Sequence, residues 1–195
     1  MKTESQEYDA FLERKYLPGR GLYLDWIIYP QYEKELVPGM VYDFGCGMGA
    51  FLEYCRKRNI PACGIDSNPH MVRRCCAKGL SARVDDIVQP ATITGPVWNI
   101  ICDNVLEHLP LEKIRTFLGN AARLLEKGGV LLLVVPNRKG YTSDPTHRTF
   151  LDGSLVEPLV AEHGLGLTAE YQFPCRSAVL GDRFTYNMTV LRMVA

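Results

Sequence analysis

The run Val130-Leu131-Leu132-Leu133-Val134-Val135 is apolar at every position. A strand with one solvated face alternates apolar and polar residues, so a strand that is apolar throughout must be covered on both faces. That is the position of a central strand in a parallel sheet, and parallel neighbours need crossover segments, usually helices, between them. The run is also the longest of its kind in the chain, and it falls far short of the roughly 20 residues a membrane span requires.

The rest of the sequence supplies the alternation this demands. Val41 to Phe44, Ala62 to Ile65 and Trp98 to Cys102 read as short strands. Ala50 to Arg58 reads as a helix. A second helix opens with Asn68 as cap and Pro69 in its first turn, and runs to Lys78 before stopping at Gly79. Leu111, Ile114, Leu118, Ala121, Leu124 and Leu125 fall at helical spacing, with Gly128-Gly129 as the stop. A helix near Leu151 to His163 and strands near Leu167 to Phe173 and Thr185 to Val194 follow. The pattern predicts one α/β domain over residues 37–195. Before it, residues 1–36 form an aromatic-rich helical extension, with a short helix at Phe11 to Lys15 and another at Leu22 to Tyr29. These helices either close over a ligand as a lid or simply cover the sheet.

Composition narrows the class. The chain's 22 Lys+Arg balance 22 Asp+Glu, which argues against a protein held on nucleic acid by counterion release. The seven cysteines are odd in number and form no Cys-x-x-Cys pair, so they read as small hydrophobes of a reducing compartment, not as disulfides or a zinc site. The start, MKTESQEYDA, has no apolar signal core. A cytoplasmic protein without membrane or nucleic-acid partners is the expectation; no pattern speaks to its oligomeric state.

Open parallel sheets bind ligands at the carboxyl ends of their strands. Directly after the first strand comes Asp43-Phe44-Gly45-Cys46-Gly47-Met48-Gly49-Ala50, a turn whose glycines let the backbone approach a ligand closely. The following helix presents unsatisfied amides at its N-terminus. After the second strand stands Asp66, placed to accept hydrogen bonds from two ribose hydroxyls. Gly45-x-Gly47-x-x-Ala50 with a later acid also satisfies the loose dinucleotide fingerprint, so these residues mark a nucleoside site without choosing its cofactor.

The third strand separates the candidates. Val97-Trp98-Asn99-Ile100-Ile101-Cys102-Asp103-Asn104-Val105-Leu106-Glu107-His108-Leu109-Pro110 resembles motif IV of class I S-adenosylmethionine-dependent methyltransferases. In the same register Val41 to Gly49 resembles their motif I, Gly64 to Asn68 motif II, and Val84-Asp85-Asp86-Ile87 motif III. Leu125 to Gly129 is similar to the segment leading into their fifth strand. The resemblance covers roughly residues 37 to 140. It implies a Rossmann-like, mostly parallel seven-stranded sheet with helices on both faces, and S-adenosylmethionine as cofactor.

Carried over residue by residue, the resemblance places Asp43, Gly45, Cys46 and Gly47 around the methionine part of the cofactor and Asp66 on the ribose hydroxyls. Ser67 or Asn68 lies along the adenine edge, and Asp86 with Ile87 reaches the adenine amino group and ring nitrogen. Asp103, Asn104 and Val105 line the methionine near the reactive methyl. Two departures are visible. Asn99 stands where the family commonly has Asp, and the tandem Asp85-Asp86 leaves the adenine contact open by one position. Glu107 and His108 are read as orienting the next helix.

Substrate chemistry is expected in the polar loop after the fifth strand. Asp144-Pro145-Thr146-His147-Arg148 resembles a D-x-T-H stretch of small-molecule methyltransferases. His147 is the candidate base or orienting group, since histidine changes protonation near neutral pH, with Asp144 or Tyr141 in support. Arg138, Lys139 and Arg148 offer cations to an anionic substrate or form a solvated loop. Asp144 and His147 are two ligands of uncertain geometry, so no metal site is assigned. The expected reaction is methyl transfer to an oxygen, less favourably a nitrogen, of a small polar metabolite. Alternatives are a catalytically silent cofactor-binding partner subunit and an NAD-dependent oxidoreductase, for which no Tyr-x-x-x-Lys hydride-transfer pair is evident.

Overall fold

In a computed structural model of the chain, the described residues are 20–94, 96–173 and 188–195. Their seven strands are β1 (Val41–Phe44), β2 (Ala62–Asp66), β3 (Ala82–Val84), β4 (Val97–Asp103), β5 (Leu125–Pro136), β6 (Gly166–Phe173) and β7 (Met188–Val194). They form one sheet in the order β3-β2-β1-β4-β5-β7-β6. β7 runs antiparallel to both of its neighbours, and the other pairings are parallel.

The helices are α1 (Arg20–Tyr23), α2 (Tyr29–Glu35), α3 (Ala50–Lys57), α4 (Pro69–Ala77), α5 (Leu111–Leu124), α6 (Arg138–Thr142) and α7 (Gly153–Ala161). A π-helical stretch, Leu24–Ile28, joins α1 to α2, so residues 20–35 wind without a break. The helix expected at Phe11 to Lys15 and the first residues of the strand expected from Thr185 lie outside the described residues.

β5 explains why its sequence lacks polar alternation. Leu131, Leu133 and Val135 join one core with Ile114, Phe117 and Leu118 of α5 and Val156 and Val160 of α7. Val130, Leu132 and Val134 join the opposite core with Tyr29 and Tyr32 of α2 and Phe51 and Tyr54 of α3. Alternate side chains thus enter two dry layers, as period-two geometry requires.

Two boundaries differ from the expectation. α5 ends at Leu124, because Leu125 is already extended (φ −70°, ψ 134°) and pairs with Val97. The glycines lie inside β5, where the register shifts between Val97 and Asn99 and Gly128 takes φ +85°. They serve an irregularity in the strand rather than a helix stop. α4 keeps its predicted cap: Asn68 accepts from the His70 amide at 2.9 Å, and Gly79 follows the helix at φ +72°.

Candidate functional site

β1, β2 and β4 deliver their last residues to the same edge of the sheet. The chain leaves β1 through Gly45, Gly47 and Gly49, at φ +81°, +50° and +78°. The amides of Gly45 and Cys46 both donate to the Ile65 carbonyl, at 2.7 and 3.2 Å, which folds the loop over the end of β2. A Cβ on Gly45 would collide with Val105, whereas one on Gly47 would meet nothing within 4 Å. One glycine is therefore required by protein packing, and the other faces open space. Gly49, at the N-cap of α3, has no side chain to cap the first amides of the helix.

Asp66 closes the loop from the other side. Its Oδ2 accepts from the Gly47 amide at 2.9 Å and its Oδ1 from the Asn68 amide at 2.8 Å. Ser67 beside it is exposed, while Asn68 is buried and spends its side-chain oxygen on the α4 cap. Of the tandem acids, Asp85 accepts from the amides of Asp86, Ala91 and Thr92 and from the Thr92 hydroxyl. Burial raises its carboxyl, but these bonds outweigh that and hold it below the usual range. Asp86 is exposed, with one oxygen on the Val88 amide at 2.8 Å, and Ile87 is buried next to it. The structure thus gives Asp85 the loop-holding role and leaves Asp86 facing outward.

Asp43, 5% exposed, lies in the strand ahead of the glycine loop. Burial, then the charges of Asp103 and Asp66, pushes its carboxyl well above the usual range. At the end of β4, Asp103 accepts from the Tyr32 hydroxyl at 3.3 Å and from the Asn104 amide group at 2.7 Å. Asn104 holds a left-handed φ of +54°, uncommon for a residue with a side chain. Tyr32 is wholly buried, so the N-terminal helices supply a side chain to this edge. Cys46 is 8% exposed, and its thiol is pushed up, first by its hydrogen bond with Cys75 and then by burial. It is a packing residue of the loop rather than a nucleophile.

The loop after β5 meets this edge through the turn that follows β4. The Glu107 carbonyl accepts from the amides of Arg148 and Thr149, at 2.7 and 3.1 Å. That docks residues 144–150 on the 3₁₀ turn Leu106–His108. His147 places Nδ1 at 2.9 Å from the Tyr141 carbonyl, an oxygen that can only accept, so Nδ1 carries the proton and Nε2 the lone pair. The Tyr141 ring stacks on the imidazole at 5.6 Å between centroids. Asp144 meets His147 through the backbone, its carbonyl accepting from the His147 amide at 3.2 Å, while its carboxylate Oδ1 accepts from the Thr146 amide and hydroxyl, at 2.9 and 2.6 Å. Thr146 Oγ1 in turn lies 3.1 Å from His108 Nδ1, and with its own proton on Asp144 it accepts there.

Glu107 and His108, read from the sequence as orienting the next helix, stand beside His147 in the structure. Glu107 is 1% exposed, with Oε1 at 3.9 Å from His147 Nε2, and the His108 and His147 rings lie 4.9 Å apart. The adjacency of the two in sequence, followed by Leu-Pro, was the visible signal. Their meeting with His147, about 40 residues on, depends on the fold.

Arg138 and Arg148 are both exposed, and the Arg138 guanidinium lies 4.8 Å over the Phe150 ring. Separately, a cavity of about 450 Å³ lies between the N-terminal helices and the flank of α3, lined by Leu24, Asp25, Met48, Glu53, Lys57 and Lys78 among others. Its lysines are paired, Lys57 with Asp25 and Lys78 with Glu53, and Arg74 adds a further cation to the lining. No described helix is long and apolar enough to cross a membrane.

Residues 19–176 match a family model described as a methyltransferase domain. No curated protein matches the chain significantly. Among solved structures, a SAM-dependent methyltransferase from Archaeoglobus fulgidus is 16% identical, with 95% of this chain and 99% of that one covered and a TM-score of 0.70. A chain from the complex between the Haloferax volcanii Trm112 methyltransferase activator and the putative methyltransferase is 18% identical, with 98% of both covered and a TM-score of 0.71. Magnesium protoporphyrin IX methyltransferase from Synechocystis PCC 6803, solved with bound SAM, is 18% identical, with 98% and 92% covered and a TM-score of 0.69. At these identities the structural likeness speaks for the fold.

Proposed function

Because the chain belongs to the methyltransferase-domain family, we propose that it transfers a methyl group from S-adenosylmethionine to an oxygen of a small polar, anionic metabolite. A nitrogen acceptor is the less favoured form of the same reaction. The observation that carries the reading is the meeting of the glycine loop with Asp66 through the Gly47 amide, on the edge that also holds Asp103 and His147.

In this reading Asp66 exchanges its loop contacts for the ribose hydroxyls, and Gly45, Cys46 and Gly47 wrap the methionine part. Asp43 also borders the methionine part, Asp103, Asn104 and Val105 line it near the methyl, and Ser67, Asn68, Asp86 and Ile87 border the adenine. The cofactor supplies a methyl already activated by its sulfonium. The protein's task is to bring the acceptor about 3 Å from that carbon, in line with the sulfur. The lone pair on His147 Nε2 receives the acceptor's proton, a contribution commonly worth about 10²- to 10⁴-fold. The acceptor oxygen then bonds to the methyl carbon, and the carbon–sulfur bond breaks with its electron pair on sulfur. Tyr141 fixes the imidazole, Asp144 works through Thr146 on the neighbouring His108, and the exposed Arg138 and Arg148 meet the anionic part of the substrate.

Calorimetric titration with S-adenosylmethionine, S-adenosylhomocysteine and NAD in parallel tests the cofactor. Binding of the first two and silence with NAD is expected; NAD binding alone overturns the reading. Asp66→Ala should weaken S-adenosylmethionine by about 1.5–3 kcal/mol, the scale of a hydrogen bond to a charged group. An unchanged dissociation constant rejects that role. His147→Ala should lower turnover far more than cofactor affinity, and full turnover in that variant rejects the base.

One observation favours a second reading, a partner subunit that binds the cofactor without catalysis. Leu22, Tyr23, Trp26 and Ile27 expose apolar surface on the N-terminal helices, Trp26 at 76%. Cofactor binding with no methyl acceptor found in a metabolite screen, together with a stable hetero-complex, would favour it.

A further inference from the structure

We propose that Glu107, His108 and His147 form a binding site for one divalent transition cation of the zinc or cobalt type. The three residues each offer one ligand atom, and these atoms all lie within 4.8 Å of one another. Ligands sharing one tetrahedral cation at about 2.0–2.1 Å sit roughly 3.4 Å apart. The set has to contract by about an ångström or somewhat more to share one cation.

Two features separate this cluster from a chance meeting of polar groups. First, both imidazoles are held through Nδ1, which leaves Nε2 as the nitrogen each would offer a cation. His147 Nδ1 donates to the Tyr141 carbonyl at 2.9 Å, and His108 Nδ1 donates to Thr146 Oγ1 at 3.1 Å, which Asp144 orients in turn. A metal-bound histidine is fixed in this way: the second nitrogen donates its proton to an outer acceptor, which sets the tautomer and points the lone pair at the ion. Second, the carboxylate that completes the set is almost wholly buried, Glu107 at 1%, beside an imidazole nitrogen at 3.9 Å. Buried carboxylates are characteristically found paired or coordinating metal ions, so the place of Glu107 among two imidazoles suits a cation.

Donor chemistry chooses the ion. Two imidazoles and one carboxylate suit zinc, cobalt or ferrous iron, whereas magnesium and calcium prefer all-oxygen sets. Three protein ligands leave at least one coordination position for another molecule. That position gives the cation its use, and this step alone rests on the methyl-transfer reading. The acceptor's hydroxyl oxygen ligates the ion, which lowers its pKa, and its proton passes to solvent. The resulting anionic oxygen attacks the methyl carbon; a carbon–oxygen bond forms, the carbon–sulfur bond breaks, and its electron pair remains on sulfur as a neutral thioether. In the loaded protein His147 is a ligand, and the cation takes over from the imidazole the task of making the acceptor nucleophilic.

The test uses the full chain, freed of metal by chelator and titrated with Co²⁺ in the absence of cofactor. Expected is one Co²⁺ per chain, seen in its visible absorption, displaced by Zn²⁺ and not by Mg²⁺. Glu107→Gln and His147→Gln should each weaken it at least about tenfold, a loss that even an outer-shell change can produce. Thermal midpoints and far-ultraviolet circular dichroism of the metal-free variants show that the fold is intact; if the buried Glu107→Gln fails this control, His108→Gln takes its place. Absence of Co²⁺ binding overturns the site. So does binding that these substitutions leave unchanged, including binding marked by a thiolate charge-transfer band from the cysteines. Since no cofactor is present, failure of the methyl-transfer reading leaves this titration unaffected, and failure of the site leaves cofactor binding unaffected.

Discussion

Asn99 is wholly buried within β4, and its amide is used in both directions. Oδ1 accepts from the Val37 amide at 2.9 Å, while Nδ2 donates to the carbonyls of Val37 at 2.9 Å and Met40 at 3.4 Å. One side chain thereby staples the segment between α2 and β1 to the middle of the sheet. A carboxylate could accept but not donate, so the family's usual Asp would not make this staple. Asn99→Asp should cost about 1–3 kcal/mol at neutral pH, the scale of a buried polar group left without its partner. Denaturant unfolding checks this, and part of the loss should return in acid, where the introduced carboxyl takes up a proton and regains a donor. Equal stability of the two proteins at neutral pH would show that the linker accommodates the change.

Elements carry the division of labour in the glycine loop. Gly45 and Gly47 both require a left-handed backbone, but only Gly45 is pressed against another strand end, at Val105. Gly47→Ala should therefore cost about 1–2 kcal/mol, the backbone term alone. Gly45→Ala should cost more, because the loop must also move off β4, and it should weaken the cofactor as well. Equal losses in both variants would mean that Val105 yields without cost. The order of these elements was legible in the sequence because each strand is a short apolar run ending in a residue with special backbone needs. β5 declared its central place through six unbroken apolar positions. Its true start at Leu125 was not legible, since Leu125 also fits the helical spacing of α5, and only pairing with Val97 decides between them. The site divides in the same way. The glycine loop and Asp66 are local patterns, while Tyr32 on Asp103 and Glu107 beside His147 join residues 71 and 40 positions apart. No local pattern encodes such meetings; they follow from which strand lies next to which.

At the scale of the whole molecule, the parallel sheet gathers acids from three strands at one edge. Asp43, Asp66 and Asp103 stand at or near the ends of β1, β2 and β4, and burial with this mutual repulsion holds the Asp43 carboxyl well above its ordinary value. Between the unfolded and folded values the native chain carries a proton that the unfolded chain has released. The contribution to stability is full below the unfolded value, and it is lost as pH rises through the folded one. Asp43→Asn keeps the neutral form at every pH and should flatten that decline. The same proton links to the proposed cofactor, whose methionine part carries a sulfonium and an ammonium group. Cations beside Asp43 favour its ionised form, so binding below the folded value should expel the proton. Affinity should then rise with pH, by at most about tenfold per unit for one proton. Titrations in buffers of different ionisation enthalpy measure the release directly. Wild type should show it and Asp43→Asn should not. A binding enthalpy independent of buffer in both proteins would place the cofactor's positive charges away from this edge.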